Sequence, residues 1–158
     1  MLCGCGITNN FVEEVSAPSY PEYLKTADAF VDLDERKHRS ELKIFLRVDP
    51  YRTEWCAAFV NSVLRVNGVP GSESVNSNPL LARSFLDWGV KVDEPKLGDV
   101  VVFSRGNQGW QGHVAFYVRT IIIDGKEYHV VLGGNQDDKV SYEYYSTSTA
   151  LGYRRWLD

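Results

Sequence analysis

Paired cysteines, an excess of basic residues and long apolar runs are all missing from this chain of 158 residues. Its three cysteines, Cys3, Cys5 and Cys56, are sparse and odd in number, which argues against a disulfide framework and leaves Cys56 for some other use. Cys3 and Cys5 stand among Met, Leu and Gly, whereas a tetrahedral metal site needs about four ligands. Neither His38 nor His129 makes a short-spaced ligand pair with Cys56, so no metal and no cofactor is expected. Lys and Arg number 17 against 21 Asp and Glu, a net charge of −4, where a nucleic-acid binder would carry a basic excess. Apolar runs such as Val100 to Phe103 fall far short of the roughly 20 residues of a membrane span, so no membrane insertion is expected. No basic start followed by an apolar stretch of about 7–15 residues reads as a signal peptide. Leu2-Cys3-Gly4-Cys5 looks like a lipoprotein cleavage box without the apolar segment that precedes one.

What is present is a globular composition: 44% hydrophobic, 24% charged and 13% aromatic, which excludes a disordered tail, a collagen-like fibre and a simple coiled coil. The length suits one domain. Residues 1–19, with their glycines, Asn9-Asn10 and Pro18, read as an irregular arm, and residues 20–158 as the domain. Charge is uneven: residues 1–50 hold 6 basic against 9 acidic side chains (−3), and residues 51–158 hold 11 against 12 (−1).

Apolar spacing predicts a helix from Tyr20 to Phe30 and a short amphipathic helix from Ser40 to Val48, with the charge run Asp32 to Arg39 between them as a solvated loop or helix face. Asp49-Pro50 breaks the second helix. The clearest helix starts at Thr53, an expected cap, and ends at Gly68. Cys56, Phe59, Val60, Val63 and Leu64 recur along it at spacings of three and four. Asn78 and Pro79 open a further expected helix, Leu80 to Trp88. From Asp99 the period becomes two, with strands expected at 99–103, 112–120, 121–123, 127–132, 139–145 and 151–156, and Asp124-Gly125 as a hairpin turn. Helices first and strands afterwards make an α+β fold, the helices packed on one face of an antiparallel sheet of about five to six strands.

Cys56 falls in the first turn of its helix, where the unsatisfied N–H groups and the dipole stabilise a thiolate. Taken alone it reads equally as a small buried residue on the apolar face. His113 opens the strand Gly112-His-Val-Ala-Phe-Tyr-Val, sharing a face with Ala115 and Tyr117. Gly133-Gly-Asn-Gln136 ends the next long strand, and Asn135 or Gln136 there can hold an imidazole in one tautomer.

A cysteine at a helix start, a histidine on a following strand and a polar residue on the strand after that form a papain-like order. The segments Glu54-Trp-Cys-Ala-Ala-Phe-Val60, Leu97-Gly-Asp-Val-Val-Val-Phe103, Gly112-His-Val-Ala-Phe-Tyr117 and Leu132-Gly-Gly-Asn-Gln136 resemble the NlpC-type papain-like cell-wall hydrolases and the CHAP amidases, the cysteine, histidine-dependent amidohydrolases/peptidases. With Gly152 to Arg155 they look like a compact subgroup carried by phages and prophages, over about residues 20–156. The resemblance implies a papain-like NlpC fold and a peptidoglycan hydrolase, an endopeptidase or an N-acetylmuramoyl-L-alanine amidase. It makes Cys56 the nucleophile, His113 the general base and Asn135 the orienting third residue, with Gln136 as the alternative. Trp55, Trp110 and Gln136 are candidates for touching substrate. Expected partners are peptidoglycan and phage tail or other virion proteins; expected delivery to the wall is by a virion or after holin-mediated release. The competing expectations are a non-catalytic tail subunit and an interbacterial amidase toxin.

Overall fold

The computed structural model describes residues 20–157. The expected arm at 1–19, with Cys3 and Cys5, lies outside the described residues. Three α-helices come first: α1 (Glu22–Asp28), α2 (Arg39–Leu46) and α3 (Cys56–Val66). Six strands follow: β1 (Val90–Val92), β2 (Val100–Ser104), β3 (Gly112–Ile123), β4 (Lys126–Gln136), β5 (Lys139–Ser146) and β6 (Ala150–Arg155). They form one sheet in the order β1-β6-β2-β3-β4-β5, with every neighbouring pair antiparallel. The α+β fold with helices before an antiparallel sheet is as expected.

The alternation of the strands sorts their side chains onto two faces. Val100, Val102, Val114, Phe116, Leu132 and Val140 meet Leu24, Leu42, Phe59, Val60 and Val63 of the helices in the main core. Burying one such side chain contributes roughly 1.5–3 kcal/mol. Val101, Phe103, Ala115, Tyr117 and Val131 form a second, smaller cluster on the other face. Asp99 ties the start of β2 to the far edge, where Arg155 donates Nε–H and Nη2–H to its two carboxylate oxygens at 2.8 and 2.7 Å. Such a two-pronged pair fixes geometry as well as adding energy.

Several boundaries differ from expectation for local reasons. Thr53 does not cap α3: Trp55 is the cap residue, with no side-chain cap hydrogen bond. The stretch expected as a helix from Leu80 to Trp88 is a tighter 3-10 turn, Ala82–Asp87. The two strands expected at 112–120 and 121–123 are one, and it turns into β4 through Asp124 (φ 50°) and Gly125 (φ 74°), a two-residue turn whose twist matches the strands. β1, three residues long, had no legible period.

Candidate active site

The end of β4 decides the site. Strict alternation would put Asn135 on the face of His129 and Val131. Instead Asn135 takes a left-handed backbone (φ 56°), and the β4–β5 register shifts between Gly133 and Gln136. Such a bulge inserts one residue and re-aims the side chains beyond it. Gln136 therefore turns onto the face of His113. A Cβ at Gly133 would stand 2.8 Å from Ala115 Cβ and 2.9 Å from Gln136 Oε1, so glycine leaves the room that the Gln136 amide fills. A Cβ at Gly134 would stand 2.5 Å from the Trp55 ring and 2.7 Å from Phe59 Cβ. Its absence lets β4 lie against the start of α3.

His113 is only 1% exposed, and its Nε2 lies 2.9 Å from Gln136 Oε1. The Gln136 amide is itself oriented, because its Nε2–H donates to Ser141 O at 2.6 Å. Oε1 is then the acceptor, His113 Nε2 carries the proton, and Nδ1 holds a bare lone pair. That Nδ1 is buried and has no hydrogen-bond partner among the described residues. The Tyr145 ring stacks over the imidazole, centroids 5.1 Å apart. Burial pulls His113 down to about 4, against the pull of the Gln136 hydrogen bond, and the Arg105 charge lowers it further.

Cys56 is the first residue of α3 and 4% exposed. Burial pushes its thiol above the ordinary value; the N–H groups of Val114 and Ala57 oppose this, Glu54 adds to the rise and Arg105 subtracts from it. The expected thiolate stabilisation by the helix start is thus present but outweighed by loss of water. Val114 follows His113 in the chain, so the strand N–H beside the sulfur belongs to the residue next to the histidine at the start of β3. Burial also pushes the Tyr145 phenol up to about 12.

Cys56 opens onto a cleft of about 460 Å³, whose walls include Glu54, Leu80, Ala82, Arg105, Trp110 and Gly112. A second hollow of about 160 Å³ adjoins it at Arg105 and holds Asn135, Gln136, Asp137, Glu143 and Tyr145. Trp110, 61% exposed, lines the larger cleft. Trp55 does not, contrary to expectation: it is fully buried on Phe59 and donates Nε1–H to Glu35 Oε2 at 3.0 Å. Residue 55 precedes an inward-facing helix start, so its ring enters the core. Glu35 is correspondingly buried, although it belongs to the charge run expected in solvent. Asn135 lies away from His113 and donates Nδ2–H to Glu54 Oε2 at 2.7 Å, near the surface. Arg105, Tyr145 and Glu35 were not singled out from sequence; Arg105 and Glu35 stand in irregular segments and Tyr145 in a strand full of tyrosines, so no spacing marks them. Among the described residues no group of three or more His, Cys, Asp or Glu side chains is placed to hold a metal ion.

The family model for the CHAP domain matches residues 48–135, more than half of the chain, and spans both Cys56 and His113. The chain belongs to the CHAP family. Gln136, Tyr145 and strands β5 and β6 lie beyond the matched segment of the CHAP domain. Family membership supports a hydrolase of the peptidoglycan amidase or peptidase kind. No curated protein matches the chain.

Proposed function

We propose that this CHAP protein hydrolyses an amide bond of the peptidoglycan stem peptide through a thioester on Cys56, with His113 as the base and Gln136 as the residue that orients it. The observation that carries the reading is the hydrogen-bonded chain Ser141–Gln136–His113, which leaves Nδ1 as a buried, unpartnered lone pair beside the strand N–H that meets the thiol. With the thiol pushed up and the imidazole pulled down, the resting pair is neutral. Nδ1 takes the thiol proton as sulfur attacks the carbonyl carbon, and the imidazolium returns that proton to the leaving amine. Water, deprotonated by the same nitrogen, then splits the thioester and restores the thiol. The Cys56 N–H, first of α3 and without an intrahelical acceptor, is an oxyanion donor.

Purified sacculi test the reading. Wild-type protein clears them and releases muropeptides, and mass spectrometry of the new ends separates an amidase from an endopeptidase. Cys56→Ala, with unchanged circular dichroism, clears nothing; clearing by that variant would remove Cys56 from the chemistry. The proposed partners are the wall polymer as substrate and virion or tail proteins as carriers, the latter supported by a net charge of −4 that offers an anionic wall no attraction.

A further inference from the structure

Arg105 follows the last residue of β2 and is the one side chain common to both hollows. No other Lys or Arg lines either of them. The nearest rival, Arg83, is already committed, donating Nε–H to Gln111 O at 2.8 Å. Three acids share the hollows and none pairs with Arg105: Glu54 accepts from Asn135 and Glu143 from Ser141, and among the described residues neither they nor Asp137 form a salt bridge with Arg105. Its backbone is nevertheless held. Ser104 before it is paired to Gly112, and the loop after it closes on Gln111, whose Oε1 accepts from Gln108 N–H at 3.0 Å. An exposed, always-charged fork on a fixed stem, next to the nucleophile and with no partner of its own, is arranged to meet an anion that arrives with the substrate.

We propose that Arg105 binds a free carboxylate on the peptide flanking the scissile amide and so selects acid-bearing stems over amidated ones. The proposal rests on the hydrolase reading above and names what that site recognises. The alternative is that Arg105 serves only as a background charge favouring the thiolate. The two differ in a ratio, because a background charge affects every substrate alike.

The test uses two N-acetylmuramoyl stem tetrapeptides that differ at one group, the glutamate α-carboxylate, free in one and a carboxamide in the other. For wild type the ratio of kcat/KM, acid over amide, is expected at about 10 to 100, the range of a charge-assisted hydrogen-bonded pair. In Arg105→Gln the ratio falls to near one, whatever drop both stems share, and Arg105→Lys keeps part of it. A wild-type ratio near one, or a ratio that survives Arg105→Gln, overturns the proposal. Calorimetric titration of Cys56→Ala against Cys56→Ala/Arg105→Gln gives the same ratio in Kd without turnover. If wild type cleaves neither stem, the hydrolase reading fails while the Kd ratio still decides on Arg105; equal Kd values, or no binding of either stem, overturn the proposal.

Discussion

His113 and His129 lie on the same face of the sheet, joined by the Phe103 and Tyr145 rings that stack between them. Both are buried, and burial lowers the pKa of each. At His129 both ring nitrogens are occupied, Nδ1 by Thr120 Oγ1 at 2.9 Å and Nε2 by Tyr153 OH at 2.8 Å, and Tyr117 OH extends the chain to Thr120. At His113 one nitrogen is occupied and the other is bare. A buried polar atom without a partner costs about 1–3 kcal/mol. The fold tolerates that cost at His113, beside the cleft, and avoids it at His129 on β4, so the two histidines differ in whether one ring nitrogen is left without a partner.

Exchanging each for glutamine breaks the comparison most forcefully. His113→Gln is expected to lower kcat on sacculi by about 10⁴-fold, the scale of losing a triad member. His129→Gln strands Thr120 and Tyr153; it costs about 1–3 kcal/mol in urea unfolding and leaves kcat within about threefold. Comparable kcat losses in both would erase the distinction.

Acid sharpens it next. The His113 pKa in the fold is about 4, below the 6.5 of an unfolded histidine. Between those values the unfolded chain takes a proton that the folded one refuses, so this contribution is present above about pH 6.5 and is lost as pH falls to about 4. The loss amounts to about 3 kcal/mol. Unfolding midpoints at pH 7 and pH 4.5 measure it, and His113→Gln should shrink the difference. In initial rates, the acid limb of kcat/KM should lie well below 6.5, since the base works only when neutral; a limb at 6.5 would mean that substrate-free burial does not govern the imidazole.

The residue that orients His113 shows what spacing can and cannot reveal. The helix carrying Cys56 was legible because apolar positions three and four apart bury one face whatever the context. The histidine strand was legible from its alternation. Asn135 was expected as the orienting residue from the family resemblance, with Gln136 as the alternative; a left-handed residue inside the strand turns Gln136 onto the histidine's face instead, and nothing in Gly-Gly-Asn-Gln announces which position takes that backbone. Trp55 was read at the cleft because it neighbours Cys56, yet chain neighbours at a helix start diverge by about 100°. The consequence is a smaller prediction. Gln136→Ala removes the hydrogen bond that sets the tautomer and is expected to lower kcat about 10- to 100-fold, equivalent to about 1.5–3 kcal/mol for a bond to a group that becomes charged. Asn135→Gly keeps the left-handed backbone and loses only a near-surface bond to Glu54, within about ±0.5 kcal/mol. The reverse order of effects would return Asn135 to the role first expected of it.

The two tryptophans furnish the mildest test, and it separates recognition from packing. Trp55 has no exposed surface and a buried acceptor in Glu35, so it acts on the fold. Trp110 is 61% exposed on the cleft wall, and among the described residues no hydrogen bond fixes its indole. A flat ring in that position gains by stacking on substrate, about 0.5–1.5 kcal/mol for an aromatic contact. Trp110→Ala should therefore raise KM about three- to tenfold while kcat and Tm hold, because the ring is mostly exposed. A fall in Tm with KM unchanged would place the ring with Trp55, as packing, and would leave Arg105 and the floor of the cleft to hold the substrate.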